Sequence, residues 1–120
     1  MISVVIPVFN HAAYVADAVA SVLAQSRPPA EVLIVDDGST DDSADRAEAA
    51  GVRVLREPHG GVSRALNVAI AATAQPLVAF LDADDVWPPD KLERQCASLG
   101  DHDAAFGWVE EFSALDVPCR

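Results

Sequence analysis

Short, β-branched apolar runs alternate with helix-period segments along most of this chain, and that alternation decides most of what it can fold into. Ile2-Ser3-Val4-Val5-Ile6-Pro7 is almost continuously apolar, the pattern of a strand covered on both faces. Glu31-Val32-Leu33-Ile34-Val35-Asp36, Val52-Arg53-Val54-Leu55 and Leu77-Val78-Ala79-Phe80-Leu81 predict three more strands, and Ala104 to Val109 predicts a fifth. Helical spacing fills the gaps. Ala13 to Gln25 puts Tyr14, Ala18, Val22 and Gln25 in one row, with Val15, Val19 and Leu23 beside it. A second helix is predicted from Asp42 to Ala50, and a fourth from Pro88-Pro89-Asp90 to Leu99. Between these two, Leu66, Ala69, Ile70 and Thr73 recur at helical spacing after Gly60-Gly61. Pro28-Pro29, Gly51 and Pro76 supply the stops. Such alternation predicts right-handed βαβ units and an α/β fold, a mostly parallel sheet flanked by helices.

The chain has 120 residues, and domains typically hold about 100–200, so residues 1–120 are read as a single domain or part of a larger one. Hydrophobic residues make up 51%, too many for a disordered chain. Eight basic against 19 acidic residues give a net charge of −11, which removes any general electrostatic reason to approach nucleic acid or anionic lipid. A phosphate ligand would need local help from a cation, a helix N-terminus or a well-placed Arg. Cys96 and Cys119 have no metal-ligand spacing and read as free thiols of a reducing compartment. Met1 to Phe9 lacks a basic leader and a cleavage site, and no apolar window is long enough to cross a bilayer; the expectation is a soluble, cytoplasmic chain.

In parallel sheets ligands bind beyond the carboxyl ends of the strands, so the segments that follow each strand carry the functional reading. Asp82-Ala83-Asp84-Asp85 follows the fourth strand. Three carboxylates so close repel one another unless a cation neutralises them, and hard divalent ions, Mg²⁺ or Mn²⁺, take oxygen ligands of this kind. A solvated acidic turn with helix-capping carboxylates is the alternative. Asp36-Asp37-Gly38-Ser39 follows the second strand, where a carboxylate can accept a hydrogen bond from a base or ribose, or simply build a turn. Gly60-Gly61-Val62-Ser63-Arg64 opens a helix whose N-terminus, with Arg64, suits a phosphate. Phe9-Asn10 offers an aromatic face to a planar base, or Phe9 joins the core. His11, His59 and His102 lack mutual metal spacing and read as surface histidines, while Trp87 and Trp108 read as packing residues.

Taken together and in order, these segments resemble the N-terminal half of a family 2 glycosyltransferase of the GT-A fold. The stretches that carry the resemblance are Ser3 to Asn10, Val35 to Asp41, Gly60 to Asn67 and Phe80 to Asp85. The resemblance implies a Rossmann-like domain that binds a nucleotide-diphospho-sugar, a UDP-sugar first among them. By the same resemblance Pro7, Val8 and Phe9, with Asp37 and neighbouring Asp36, hold the base, and Arg64 lies near the phosphates. Asp82, Ala83 and Asp84 form the Asp-x-Asp element that meets ribose and, through Mn²⁺ or Mg²⁺, the diphosphate; Asp85 is a further metal candidate. Transfer to an acceptor hydroxyl with inversion is implied, and the acceptor itself is not. The family's general base lies well downstream of Asp-x-Asp. Glu110 and Glu111 lack its context, so the catalytic base is expected outside this chain, the acceptor half is expected to be missing, and the domain is read as truncated.

A half-domain would leave apolar surface uncovered, from which self-association through the region after Leu99 is expected. Two other readings remain at this stage. One is a module that binds a nucleotide-sugar without transferring it. The other is a haloacid-dehalogenase-like phosphatase, whose strand–Asp-x-Asp pattern Val78 to Val86 also fits; three strands precede the motif here and too little chain follows it.

Overall fold

A computed structural model describes residues 1–105. Eight elements alternate as expected: β1 (Ile2–Val8), α1 (Val15–Leu23), β2 (Glu31–Asp36), α2 (Ser43–Ala49), β3 (Arg53–Arg56), α3 (Val62–Ala72), β4 (Leu77–Phe80) and α4 (Lys91–Leu99). The four strands form one all-parallel sheet in the order β3-β2-β1-β4. Most of the strand predicted over 104–109 and the residues Trp108, Glu110, Glu111 and Cys119 lie outside the described residues. Among the described residues, no helix is long and apolar enough to cross a membrane.

The continuous apolar run of β1 has a direct cause: side chains alternate across a strand, and both sides of this one are covered. Ile2, Val4, Ile6 and Val8 point into one core with α1, Trp87 and Leu92 of α4. Val5 points into the other, with Leu33 and Val35 of β2 and Ala65 and Ala69 of α3. The sheet is therefore sandwiched, with α1 and α4 packed on one face and α3 on the other.

Two predicted helix rows turn out narrower than their periodicity. On α1 the buried stripe is Val15, Ala18, Val19 and Val22, while Tyr14 and Leu23 are exposed. Tyr14 stands before the first helical residue, and its N–H donates to the carbonyl of His11 in a turn. On α3 the sheet is met through Ala65 and Ala69; Ile70 is exposed and Thr73 is already the C-cap. Small residues let the helix lie close to β1 and β2, so its large apolar side chains fall to the flanks. Trp87 is buried, as a packing residue should be.

Two polar side chains add hydrogen bonds between elements that also share the apolar core. Gln25 is buried just past α1; its Nε2 donates to the carbonyls of Ser21 and Pro88 (3.1 and 2.7 Å), and its Oε1 accepts from the Leu92 N–H at 2.9 Å. It thus secures the entry to α4. Glu31 Oε1 accepts from the Ser3 hydroxyl and from the Ala74 N–H (2.8 Å), joining β2, β1 and the turn that leads into β4. Those donors, the Ser3 hydroxyl foremost and then the Ala74 N–H, hold its carboxyl below the ordinary 4.5.

Gln25→Ala strands a buried amide and carbonyl at the α1–α4 junction, and chemical denaturation should show a loss of about 1–3 kcal/mol. For Glu31, a folded value below the unfolded one gives stability that is present above pH 4.5 and lost as pH falls through the lowered value. Acid denaturation of Glu31→Gln should lack this component, which is read as a shallower decline below pH 4.5 than in the parent chain.

Candidate functional site

At the carboxyl ends of the strands the backbone is shaped by short polar side chains. Asn10, just past β1, adopts a left-handed conformation (φ 54°), which Asn tolerates better than most residues. Its Oδ1 accepts from the Thr40 N–H at 2.8 Å, and the Ser39 hydroxyl accepts from its own N–H at 2.9 Å. The β1 tip is thereby clamped to the β2–α2 turn. Gly38 in that turn has φ +76°, and a Cβ placed there would meet the backbone nitrogen of His59 at 2.6 Å. The turn therefore presses directly on the loop between β3 and α3.

Asp37 fastens that loop. The chain buries its carboxylate (5% exposed), and burial of a charge is tolerable only with donors around it. Gly60 N–H donates to Oδ1 at 2.8 Å and Gly61 N–H to Oδ2 at 3.0 Å. His59 Nδ1 lies 3.1 Å from Oδ2 and 3.0 Å from the Asp37 main-chain oxygen. Both neighbours are acceptors, so Nδ1 carries the proton. The imidazole also stacks on Phe9, with ring centroids 4.3 Å apart and planes inclined by 27°.

A cavity of about 390 Å³ opens between these parts and the end of β4. Pro7, Val8, Phe9 and His11 line it from the β1 side, Asp37 and His59 from the next two strand ends, and Gly61, Val62 and Ala65 from the start of α3. Asp82, Ala83 and Asp84 line it from the β4 side. The cavity thus lies where the sheet order reverses direction, with β2 and β3 on one side of β1 and β4 on the other.

Asp82, Asp84 and Asp85 are exposed, and each offers a carboxylate oxygen such that all three oxygens lie within 4.8 Å of one another. The Asp85 N–H donates to the Asp82 carbonyl (3.0 Å), which curls the segment. Burial, then the charges of Asp84 and Asp82, pushes the Asp85 carboxyl above its ordinary value. An all-oxygen, mutually repelling donor set suits a hard divalent cation, so the residues present fit Mg²⁺ or Mn²⁺.

Of the residues named from sequence, Pro7, Val8, Phe9, Asp37, Asp82, Ala83 and Asp84 come together around one cavity. Three do not line it. Asp36 is buried beneath, one oxygen accepting from the Ser39 N–H (3.2 Å), the other without a partner among the described residues. Arg64 folds back over Gly60 and donates to the Pro58 carbonyl (3.1 Å), away from the lining. Asp85 stands beside the cavity, within the acidic cluster. The Gly60 and Gly61 N–H groups expected to suit a phosphate are taken by Asp37. His11 and His59, read as surface residues, are both cavity-lining, and the buried His11 Nδ1 has no partner among the described residues. The adjacent Gly60-Gly61 was the one signal that marked His59, since it made the loop a site; metal spacing was the wrong criterion.

The cavity carries an aromatic ring at one end and a carboxylate set suited to a cation at the other, at the strand ends of a parallel α/β sheet. The family model described as "Glycosyl transferase family 2" matches residues 3–117, and the chain belongs to that family. An uncharacterized glycosyltransferase of Nostoc sp. is 44% identical over 99 residues, which cover 78% of this chain and 31% of that protein. S. aureus TarS 1-349 in complex with UDP-GlcNAc superposes with a TM-score of 0.76 and 29% identity, over 84% of this chain and 31% of that one. The mannosyltransferase PcManGT from Pyrobaculum calidifontis, in complex with GDP-Man and Mn²⁺, gives 0.79 and 26%, over 83% and 32%. The chain spans less than half the length of the first curated relatives it matches, 31% and 46%. The family match replaces the phosphatase reading of Asp82 and Asp84.

Gly38→Ala should cost about 1–3 kcal/mol in denaturation, from strain at positive φ. The added methyl also displaces the His59 loop, so the ring-current shifts of the Phe9–His59 stack should change in proton NMR spectra.

Proposed function

We propose that the chain is the donor-binding part of a glycosyltransferase, holding a nucleotide-diphospho-sugar, a UDP-sugar first among them, for transfer to an acceptor hydroxyl with inversion. One observation carries the reading: a single cavity joins an aromatic, hydrogen-bonding end at Phe9 and Asp37 to the paired carboxylates Asp82 and Asp84. A nucleotide has the same polarity, with a flat apolar base at one end and a charged diphosphate at the other. The neighbours whose titles name UDP-GlcNAc, or GDP-Man with Mn²⁺, support it at the level of the donor class.

In this reading Phe9 presents its ring to the base, and Asp37 acts at the same end through the loop it fastens. Asp82 and Asp84, with Asp85 beside them, hold Mn²⁺ or Mg²⁺. The bound ion supplies positive charge against which the diphosphate leaves. That answers the electrostatic difficulty of the chain: with a net charge of −11, an anionic donor is repelled unless cationic charge is concentrated where its phosphates lie. Asp37, Asp82 and Asp84 are the cavity-lining carboxylates among the described residues, and all three serve the donor side. None is assigned as the general base that removes the acceptor proton.

Calorimetric titration of the 120-residue chain with UDP should show binding that depends on Mn²⁺. Asp84→Ala should weaken it by at least about tenfold, since even the outer partners of metal ligands carry that much. Binding of equal strength with and without Mn²⁺, or an unaffected Asp84→Ala variant, overturns the reading.

A further inference from the structure

We propose that the His59 imidazole is a built-in plug: it takes up the face of Phe9 and the acceptors of Asp37 that a flat ligand bearing an N–H would use, and it must swing out before such a ligand is seated. This rests on the donor-binding reading and adds to it a displacement that entry of the donor has to drive.

Two contacts hold the plug. The imidazole lies on the Phe9 ring, with centroids 4.3 Å apart and planes inclined by 27°, so the facing sides of both rings are closed to a third ring. Its Nδ1–H points at the Asp37 main-chain oxygen (3.0 Å) and at Oδ2 (3.1 Å). A flat ring stacked on Phe9 that gives an N–H to Asp37 matches a nucleobase in shape and in donor pattern, on a smaller scale. Phe9, Asp37 and His59 all line the cavity, so the stack stands in its wall rather than behind it.

The plug is removable. The His59 side chain is 59% exposed, so rotation about its own bonds carries it into solvent. Its backbone need not follow. Asp37 holds the Gly60 and Gly61 N–H groups at 2.8 and 3.0 Å, and Gly38 presses so close that a Cβ there would meet the His59 nitrogen at 2.6 Å. The two glycine donors stay on Asp37 when the imidazole leaves, so the buried carboxylate is not stranded. What is given up is one aromatic stack and one shared hydrogen bond, and water replaces the second on an exposed ring. A ligand that restores both contacts displaces the imidazole at small cost; one that carries only phosphate gains nothing by doing so. Apparent affinity for the first kind of ligand is then reduced in proportion to the fraction of molecules in which His59 is withdrawn.

Titrations with UDP and with inorganic pyrophosphate, each in Mn²⁺, compare the parent chain with His59→Ala. Removing the plug should tighten UDP binding about two- to tenfold, the worth of one aromatic pair, and leave pyrophosphate unchanged. Proton NMR of the parent chain reads the displacement directly, whether or not the variant folds, with diamagnetic Mg²⁺ in place of Mn²⁺. Nuclear Overhauser cross-peaks between the Phe9 and His59 rings should be present before UDP is added, vanish at saturation, and persist in pyrophosphate. Three results overturn the proposal and leave the donor-binding reading standing: unchanged or weaker UDP binding in a folded His59→Ala, an equal gain for pyrophosphate, or cross-peaks that survive saturation with UDP. A parent chain that fails to bind UDP in Mn²⁺ overturns that reading and the plug with it.

Discussion

The buried carboxylate of Asp37 is the interaction on which the site depends. A charge at 5% exposure is costly unless donors surround it, and the donors here come from a segment more than 20 residues away in sequence. Because Gly60 and Gly61 must turn their N–H groups toward it, the β3–α3 loop is pulled across the end of β2. That sets where α3 begins, and it delivers His59 onto Phe9. Remove the charge and three cavity walls lose their common fastening. Asp37 is thus less a free ligand for substrate than the reason the cavity has its shape.

The opposite end is organised by the reverse principle. Asp82, Asp84 and Asp85 are exposed and gather like charges with little to offset them, so the local structure is electrostatically unfavourable by itself. Burial first, and then the charges of Asp84 and Asp82, push the Asp85 carboxyl above its ordinary value. One end of the cavity is satisfied by the protein's own donors, and the other is left for a cation to complete. This division matches a ligand that is neutral and flat at one end and anionic at the other.

Much of this was legible in the sequence, and the parts that were not have physical reasons. The continuous apolar run of β1 predicted a strand covered on both faces, and the two cores either side of it bear that out. The strand-end rule located Pro7 to Phe9, Asp37 and Asp82 to Asp84 at one edge before any geometry was known. Arg64 and Asp36 show the limit of reading by proximity. One arginine can point either way from a helix start, and here it packs over Gly60; of two adjacent aspartates on a strand end only one can face the ligand side. Tyr14, Leu23 and Ile70 show the limit of periodicity, which marks an apolar row without saying how wide the buried stripe is. His59 was hidden because its role comes from contacts with residues 50 and 22 positions away, and no local pattern encodes those.

Ala65 has a double position whose consequence reaches beyond packing. It is 1% exposed in the core between α3 and the sheet, and it also lines the cavity. A bulkier side chain there would lift the helix and fill the pocket floor in a single step. Room in the cavity and tightness of the domain are therefore geared together at this residue. Variation that reshapes the cavity has to come from the rim, where bulk can change without unseating the helix.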